Sequence, residues 1–157
     1  MKWKSKFHEP GFEFCSNMYK APINVKVNGE TITFPASENY YQAKKFLSLA
    51  IWKEFAAATP YATKALAKQK MIDNPDMVKS MSNDELVESM YKVLVAKFTQ
   101  HPELLKKLKA LPKKELVETN NWHNNTWGNC ICNTKPLCMS KGKNHLGKLL
   151  QRIQEEL

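Results

Sequence analysis

Residues Ile23 to Phe46 read INVKVNGETITFPASENYYQAKKF, and this stretch decides the fold class. In Ile23-Asn24-Val25-Lys26-Val27 and again in Thr31-Ile32-Thr33-Phe34, apolar residues fall at every second position, as a half-buried strand requires. Asn28-Gly29 between them is a tight-hairpin signal, because both residues tolerate positive φ. Pro35 is expected to stop the second strand. The period then changes. Ser37 reads as an N-cap, and Ala43, Phe46, Leu47 and Ala50 mark an apolar stripe at helical spacing.

From Ser37 to His101 the pattern is helix with breaks. Thr59-Pro60 opens a second helix with proline at its tolerated first position. Ser82-Asn83-Asp84-Glu85 is a capping box, followed by Leu86, Met90, Val93, Leu94 and Phe98 on one face. Pro102 starts another helix, carrying Leu104, Leu105 and Leu108, and Leu116-Val117-Glu118 reads as a third short strand. A last helix is expected to bury Leu146, Leu149, Leu150, Ile153 and Leu157. The sum is a mostly helical α+β chain with a small N-terminal β-hairpin.

The 157 residues fit one ordinary domain, and an apolar fraction of 43% allows a core. No apolar run reaches signal-peptide or membrane-span length, so we expect a cytoplasmic protein with no membrane partner. The net charge of +9 is carried almost wholly by lysine, with Arg152 the only arginine. Lysine is a flexible point charge, so the excess suits phosphate attraction better than forked readout of base edges. A lysine-rich solvated surface accounts for the same excess.

Three constellations could carry chemistry. Glu38, Tyr41, Gln42 and Lys45 stand at i, i+3, i+4 and i+7, a polar stripe opposite the apolar one. A carboxylate in a first helical turn lies near the positive end of the dipole; spacing alone equally describes a surface glutamate that complements it. Lys141-Gly142-Lys143-Asn144 opens the last helix, and two lysines with the free N–H groups of a helix start form a phosphate site, or simply a turn. The long segment Asn120–Lys143 holds Trp122, His123, Trp127 and three of the four cysteines. A loop of that length is usually functional or disordered, and tryptophan and cysteine argue against disorder. Cys130, Cys132 and Cys138 with His123 or Cys15 could supply four zinc ligands. However, CxC followed by five residues matches the usual paired CxxC poorly, and we assign no metal.

Five ordered stretches resemble the NADAR superfamily, also called YbiA-like. They are Phe14-Cys15-Ser16-Asn17 with Ala21-Pro22-Ile23; Phe34 to Phe46 around Ser37-Glu38-Asn39-Tyr40-Tyr41-Gln42-Ala43; Lys97-Phe98 before Gln100 to Leu104; Trp127-Gly128; and Gly142-Lys143-Asn144-His145-Leu146-Gly147. The resemblance spans nearly the whole chain and implies one YbiA-like domain over residues 1–157 that hydrolyses N-glycosidic bonds without cofactor or metal. It implies Glu38 as the catalytic carboxylate with Trp127 beside it, and Ser16, Asn17, Lys45 and Asn144 near the substrate. Tyr41 and Lys143 join them from the polar stripe and the KGKN turn. Implied substrates are ADP-ribosylated guanine, in nucleic acid or as a nucleotide, or phosphorylated ribosylamine intermediates of riboflavin synthesis. The lysine- and asparagine-rich composition fits a phage protein.

Two departures stand out. Many relatives carry aspartate three residues before the WG tryptophan, where this chain has Asn124. Asparagine keeps the hydrogen bonding of that position but neither its charge nor its basicity. That leaves room for slow turnover, an altered substrate, an inactivating substitution or a silent binding module. Ala67-Lys68 stands where relatives often have Gly-Arg.

Overall fold

The computed structural model describes residues 6–157. The leading MKWKS, part of the start that lacks a signal-like run, lies outside them. The chain contacts divide into two compact units, Asn17–His101 and Met1–Ser16 with Pro102–Leu157.

The Asn17–His101 unit begins with the expected hairpin. Strands β1 (Lys20–Val27) and β2 (Glu30–Ala36) pair antiparallel through the Asn28-Gly29 turn, whose φ angles are 50° and 80°. Pro35 does not stop β2. The register instead shifts between Lys20 and Ile23, so two residues oppose one, and the strand runs on to Ala36. Prolines at 22 and 35 lack the N–H groups a regular ladder would need there, which is why the irregularity falls at this end.

The predicted helix after Pro35 is two helices, α1 (Ser37–Ala43) and α2 (Leu49–Ala57). Ser37 is already helical and makes no side-chain cap; Ala36 occupies the N-cap, and the Glu38 amide donates to the Asn17 carbonyl at 3.0 Å. Ser48 is the true cap, its hydroxyl accepting from the Ile51 amide. Between the helices Phe46 bridges Val78. Leu47, placed on the apolar stripe by spacing, is therefore turned out and 63% exposed.

A short 3₁₀ turn at Pro60–Ala62 leads into α3 (Thr63–Asp73), and the capping box starts α4 (Asn83–Gln100) as expected. Ile32, Phe34, Ala43, Phe46, Ile51, Phe55 and Ala67 form a core cluster, with Phe34 stacked on Tyr40 at 5.1 Å. Met90, Val93, Leu94 and Phe98 of α4 are also buried, while Leu86 is half-buried.

In the other unit, α5 (Pro102–Ala110) packs with α6 (His145–Glu156), and Gln154 caps the end of α5 by donating to the Leu108 and Leu111 carbonyls. Leu146, Leu149, Leu150 and Ile153 are buried, but Leu157 lies past the helix end and is half-buried. The third strand falls later than expected. Residues 113–115 form a 3₁₀ turn, and β3 is Thr119–Asn120, paired in parallel with β4 (Asn129–Cys130). The residues 116–118 are drawn instead into contacts with the start of α6. Added Cβ atoms show how close the segments lie: at Gly128 one would collide with the Glu118 carbonyl, at Gly142 with that of Gly128, and at Gly147 with that of Leu116. The glycines of the WG and GxNxLG motifs are there because backbone passes backbone.

No described helix is long and apolar enough to cross a membrane.

Candidate functional site

The stripe on α1 is not a solvated face. Glu38 is 5% exposed, and Asn39, Tyr41 and Gln42 beside it are buried. A carboxylate taken out of water needs hydrogen-bond partners, and Gln42 donates to its Oε1 at 2.8 Å, the i,i+4 contact a helix provides. Lys45 lies beyond the end of α1, yet its Nζ stands 4.8 Å from the centre of the Tyr41 ring. Burial pulls the Lys45 pKa down, Glu38 opposes that, and Lys64 adds to it; burial and then Glu38 push Tyr41 up. The structure thus brings Glu38, Tyr41 and Lys45 into one electrostatic group. Asn17 joins them through its carbonyl, and its amide nitrogen reaches the Met90 sulfur. Asn17 Oδ1, Ser37 Oγ and Gln42 Oε1 are buried polar atoms with no partner among the described residues. Asn39 Oδ1 is likewise without a partner among them; buried polar atoms are nearly always satisfied, so this group makes the surroundings of Glu38 a candidate polar site.

Asn39, in the same motif, is structural. Its amide donates to the Phe55 and Ala58 carbonyls and ties α1 to the end of α2. Sequence reasoning passed over Lys44 and Lys97 as site candidates. Lys97 is fully buried, with its ammonium over the Tyr19 and Phe98 rings, and no spacing rule distinguishes it from the exposed Lys92 of α4. Lys44, half-buried, is lowered to about 8 by burial first and then by Lys92 and Lys79.

In the other unit, Ser16 closes the Glu13–Cys15 turn. Asn124 Oδ1 accepts from the Thr126 and Trp127 amides at 3.2 and 2.9 Å, and its backbone is held at both N–H and C=O by the Asn120 side chain. It positions Trp127, whose half-buried indole meets His145 edge-on at 6.0 Å. The helix-start reading of KGKN needs correction. The amides of Lys143, Asn144, His145 and Leu146 donate to the carbonyls of Asn125, Gly128, Thr126 and Trp127 in turn, so these N–H groups are not free for an anion. Asn144 is buried as well; its Oδ1 accepts from the Glu118 amide and its Nδ2 donates to the Leu116 carbonyl. What remains is cationic side chains: Lys114, Lys141, Lys143 and Lys148 line a cavity of about 610 Å³.

The same segment holds a set of metal-ligating side chains. His123, Cys130, Cys132 and Cys138 present ligand atoms all within 4.8 Å of one another. Cys15, the alternative fourth ligand considered from sequence, is buried elsewhere in the chain and is not part of the set. Hydrogen bonds from the Thr134 hydroxyl and amide draw the Cys132 thiol down to about 5, whereas burial, followed by a hydrogen bond with Cys130, pushes Cys138 up to about 11.

Comparison with known proteins agrees with this architecture. The NMR structure of the E. coli protein YbiA superposes with a TM-score of 0.71 at 30% identity, covering 98% of this chain and 82% of that one. The N-glycosidase YbiA of Escherichia coli K12 is 34% identical over 146 residues, 90% of this chain and 79% of that protein. The maize chloroplastic riboflavin biosynthesis protein PYRR is 26% identical over 137 residues, 83% of this chain but only 21% of the maize protein. The NADAR domain matches residues 4–157, running through both units. With that match and a relative at such identity and coverage, the chain belongs to the NADAR domain family.

Proposed function

We propose that this chain is an N-glycosidase that hydrolyses the ribosyl C–N bond of ADP-ribosylated guanine. The observation that carries the reading is Glu38: a buried carboxylate, held at one oxygen by Gln42, amid buried polar atoms with no partner among the described residues. Breaking a ribosyl C–N bond develops positive charge at the anomeric carbon. A carboxylate fixed at Oε1 offers Oε2 to stabilise that charge or to take a proton from the attacking water. Tyr41, its proton held tightly by burial and by Glu38, acts as a donor. Lys45, whose pKa burial lowers and Glu38 partly restores, offers a cation to an anionic substrate group. Asn17 supplies its Oδ1 acceptor.

In the other unit, the half-buried Trp127 ring suits a planar base. Lys143 and its neighbours suit diphosphate. Asn144, with both side-chain atoms bonded to backbone, acts as a positioning residue for that turn.

The names of the relatives support glycosidic chemistry, and the lysine-lined cavity with the net charge of +9 favours a polyanionic substrate. A second reading, hydrolysis of phosphorylated ribosylamines, is favoured by the maize riboflavin relative. A third, a silent ADP-ribose-binding module, is favoured by Asn124. Incubation with ADP-ribosylated guanine oligonucleotide and with ribosylamine phosphates, followed by chromatography of released sugar phosphates, separates them. Glu38→Gln should lower turnover by roughly 10²–10⁴-fold with the fold intact. Unchanged turnover in that variant overturns the assignment of Glu38. Tight ADP-ribose binding without turnover, in this chain and in Asn124→Asp, overturns both enzyme readings.

A further inference from the structure

We propose that His123, Cys130, Cys132 and Cys138 form a structural zinc site that fixes the Asn120–Lys143 segment. This inference does not depend on the glycosidase reading.

The geometry carries it. In a tetrahedral zinc site, bonds of about 2.3 Å to sulfur and about 2.05 Å to nitrogen place a sulfur and a nitrogen ligand about 3.6 Å apart. Here His123 Nδ1 stands 3.4 Å from the Cys132 sulfur, 3.5 Å from that of Cys138 and 3.8 Å from that of Cys130. One nitrogen facing three sulfurs at the edge length of a coordination tetrahedron is a Cys₃His donor set. Thiolate and imidazole are soft and borderline donors, the combination zinc prefers over the oxygen ligands of magnesium or calcium.

The surroundings agree with a ligand role. The Thr134 amide and hydroxyl donate to the Cys132 sulfur at 3.4 and 3.2 Å, and Asn125 Nδ2 donates to the Cys138 sulfur at 3.4 Å. Such donors orient thiolates and disperse their charge. His123 takes φ 69° and Asn133 φ 56°, left-handed conformations on either side of the CxC pair that persist where the surroundings over-determine them. Asn125 then extends the constraint: its Oδ1 accepts from the Cys130 amide and its carbonyl from the Lys143 amide. Asn124 and Trp127 fall between the ligands at 123 and 130. A metal there holds the residues that shape the candidate site, without touching a substrate.

The test uses the full chain, produced without a polyhistidine tag and purified without chelator. Elemental analysis should find about one zinc per chain. Replacement by Co²⁺ should give tetrahedral d–d bands with thiolate-to-cobalt charge transfer. Cys132→Ser, at the least buried of the three sulfurs, should weaken Co²⁺ binding at least tenfold, by roughly the margin typical of disturbed metal sites. Cys15→Ser should leave stoichiometry and spectrum unchanged. Chelation should speed amide exchange in residues 120–143 and leave α4 as it was. Zinc below about 0.1 per chain after supplementation, with all thiols reduced, overturns the proposal. A cobalt spectrum indifferent to Cys132→Ser overturns it equally.

Discussion

Asn144 offers a test in which geometry sets the magnitude. Its side chain is a double clamp, accepting from the Glu118 amide at 3.1 Å and donating to the Leu116 carbonyl at 3.0 Å. It is 8% exposed, and its backbone sits at φ 52°, in the left-handed region. Asn144→Gly removes both bonds but keeps an easy backbone. Leaving buried groups unpaired costs about 1–3 kcal/mol each, so the buried Leu116 carbonyl and the half-buried Glu118 amide predict a loss of about 2–5 kcal/mol. Asn144→Ala removes the same bonds and adds the left-handed penalty of a Cβ residue, about 1 kcal/mol more. Asn144→Asp keeps the acceptor for Glu118 but sets a carboxylate oxygen against the Leu116 carbonyl, and should fall between wild type and Ala. Urea denaturation of the four proteins gives the ordering, and amide exchange at Glu118 reports the clamp directly. If Asn144→Gly lost under about 0.5 kcal/mol and the Glu118 amide exchanged as in wild type, the clamp would carry nothing. Asn144 would then have to be explained by ligand contact alone.

Three further outcomes follow from local geometry. Asn124→Asp keeps an oxygen for the Thr126 and Trp127 amides, so stability measured by denaturation should stay within about 0.5 kcal/mol. If the missing acid matters, its turnover of ADP-ribosylated guanine should rise at least about tenfold. Lys44 is lowered from 10.5 to about 8. Between those values the unfolded chain holds a proton that the folded one has released, so stability should rise with pH across that window. The full shift corresponds to about 3.4 kcal/mol, reduced by solvent screening to on the order of 1–2. Lys44→Met should therefore stabilise at pH 7 and lose that gain by about pH 10.5, and a pH-independent gain would refute the cause. Ser82→Ala should cost about 1 kcal/mol in thermal or urea unfolding by removing the hydroxyl that accepts from the Glu85 amide.

Local chemistry made several elements legible from sequence. Asn28-Gly29 turned the hairpin because both positions needed positive φ, and Ser82 with Glu85 started α4 because the cap is satisfied within four residues. The same local rules misplaced Ser37 as a cap and Leu47 as core. Periodicity through Lys44–Ser48 cannot register that Val78, thirty-odd positions away, takes Phe46 into a bridge. The ordered motifs pointed to Glu38, while its spacing alone fitted an exposed helix-start glutamate; its burial, beside polar atoms with no partner among the described residues, distinguishes the two.

The hairpin, the helix periods, the net positive charge and the family were thus determined by the sequence alone, because each is set by neighbouring residues or by their order. Tertiary structure decided that the amides of Lys143 to Leu146 are already bonded to residues 125–128, and that His123 meets three sulfurs despite a CxC spacing unlike the usual paired motif. Both depend on which distant backbone and side-chain atoms converge. Distance along a chain does not encode distance in space, and a hydrogen bond or a coordination shell responds only to the latter.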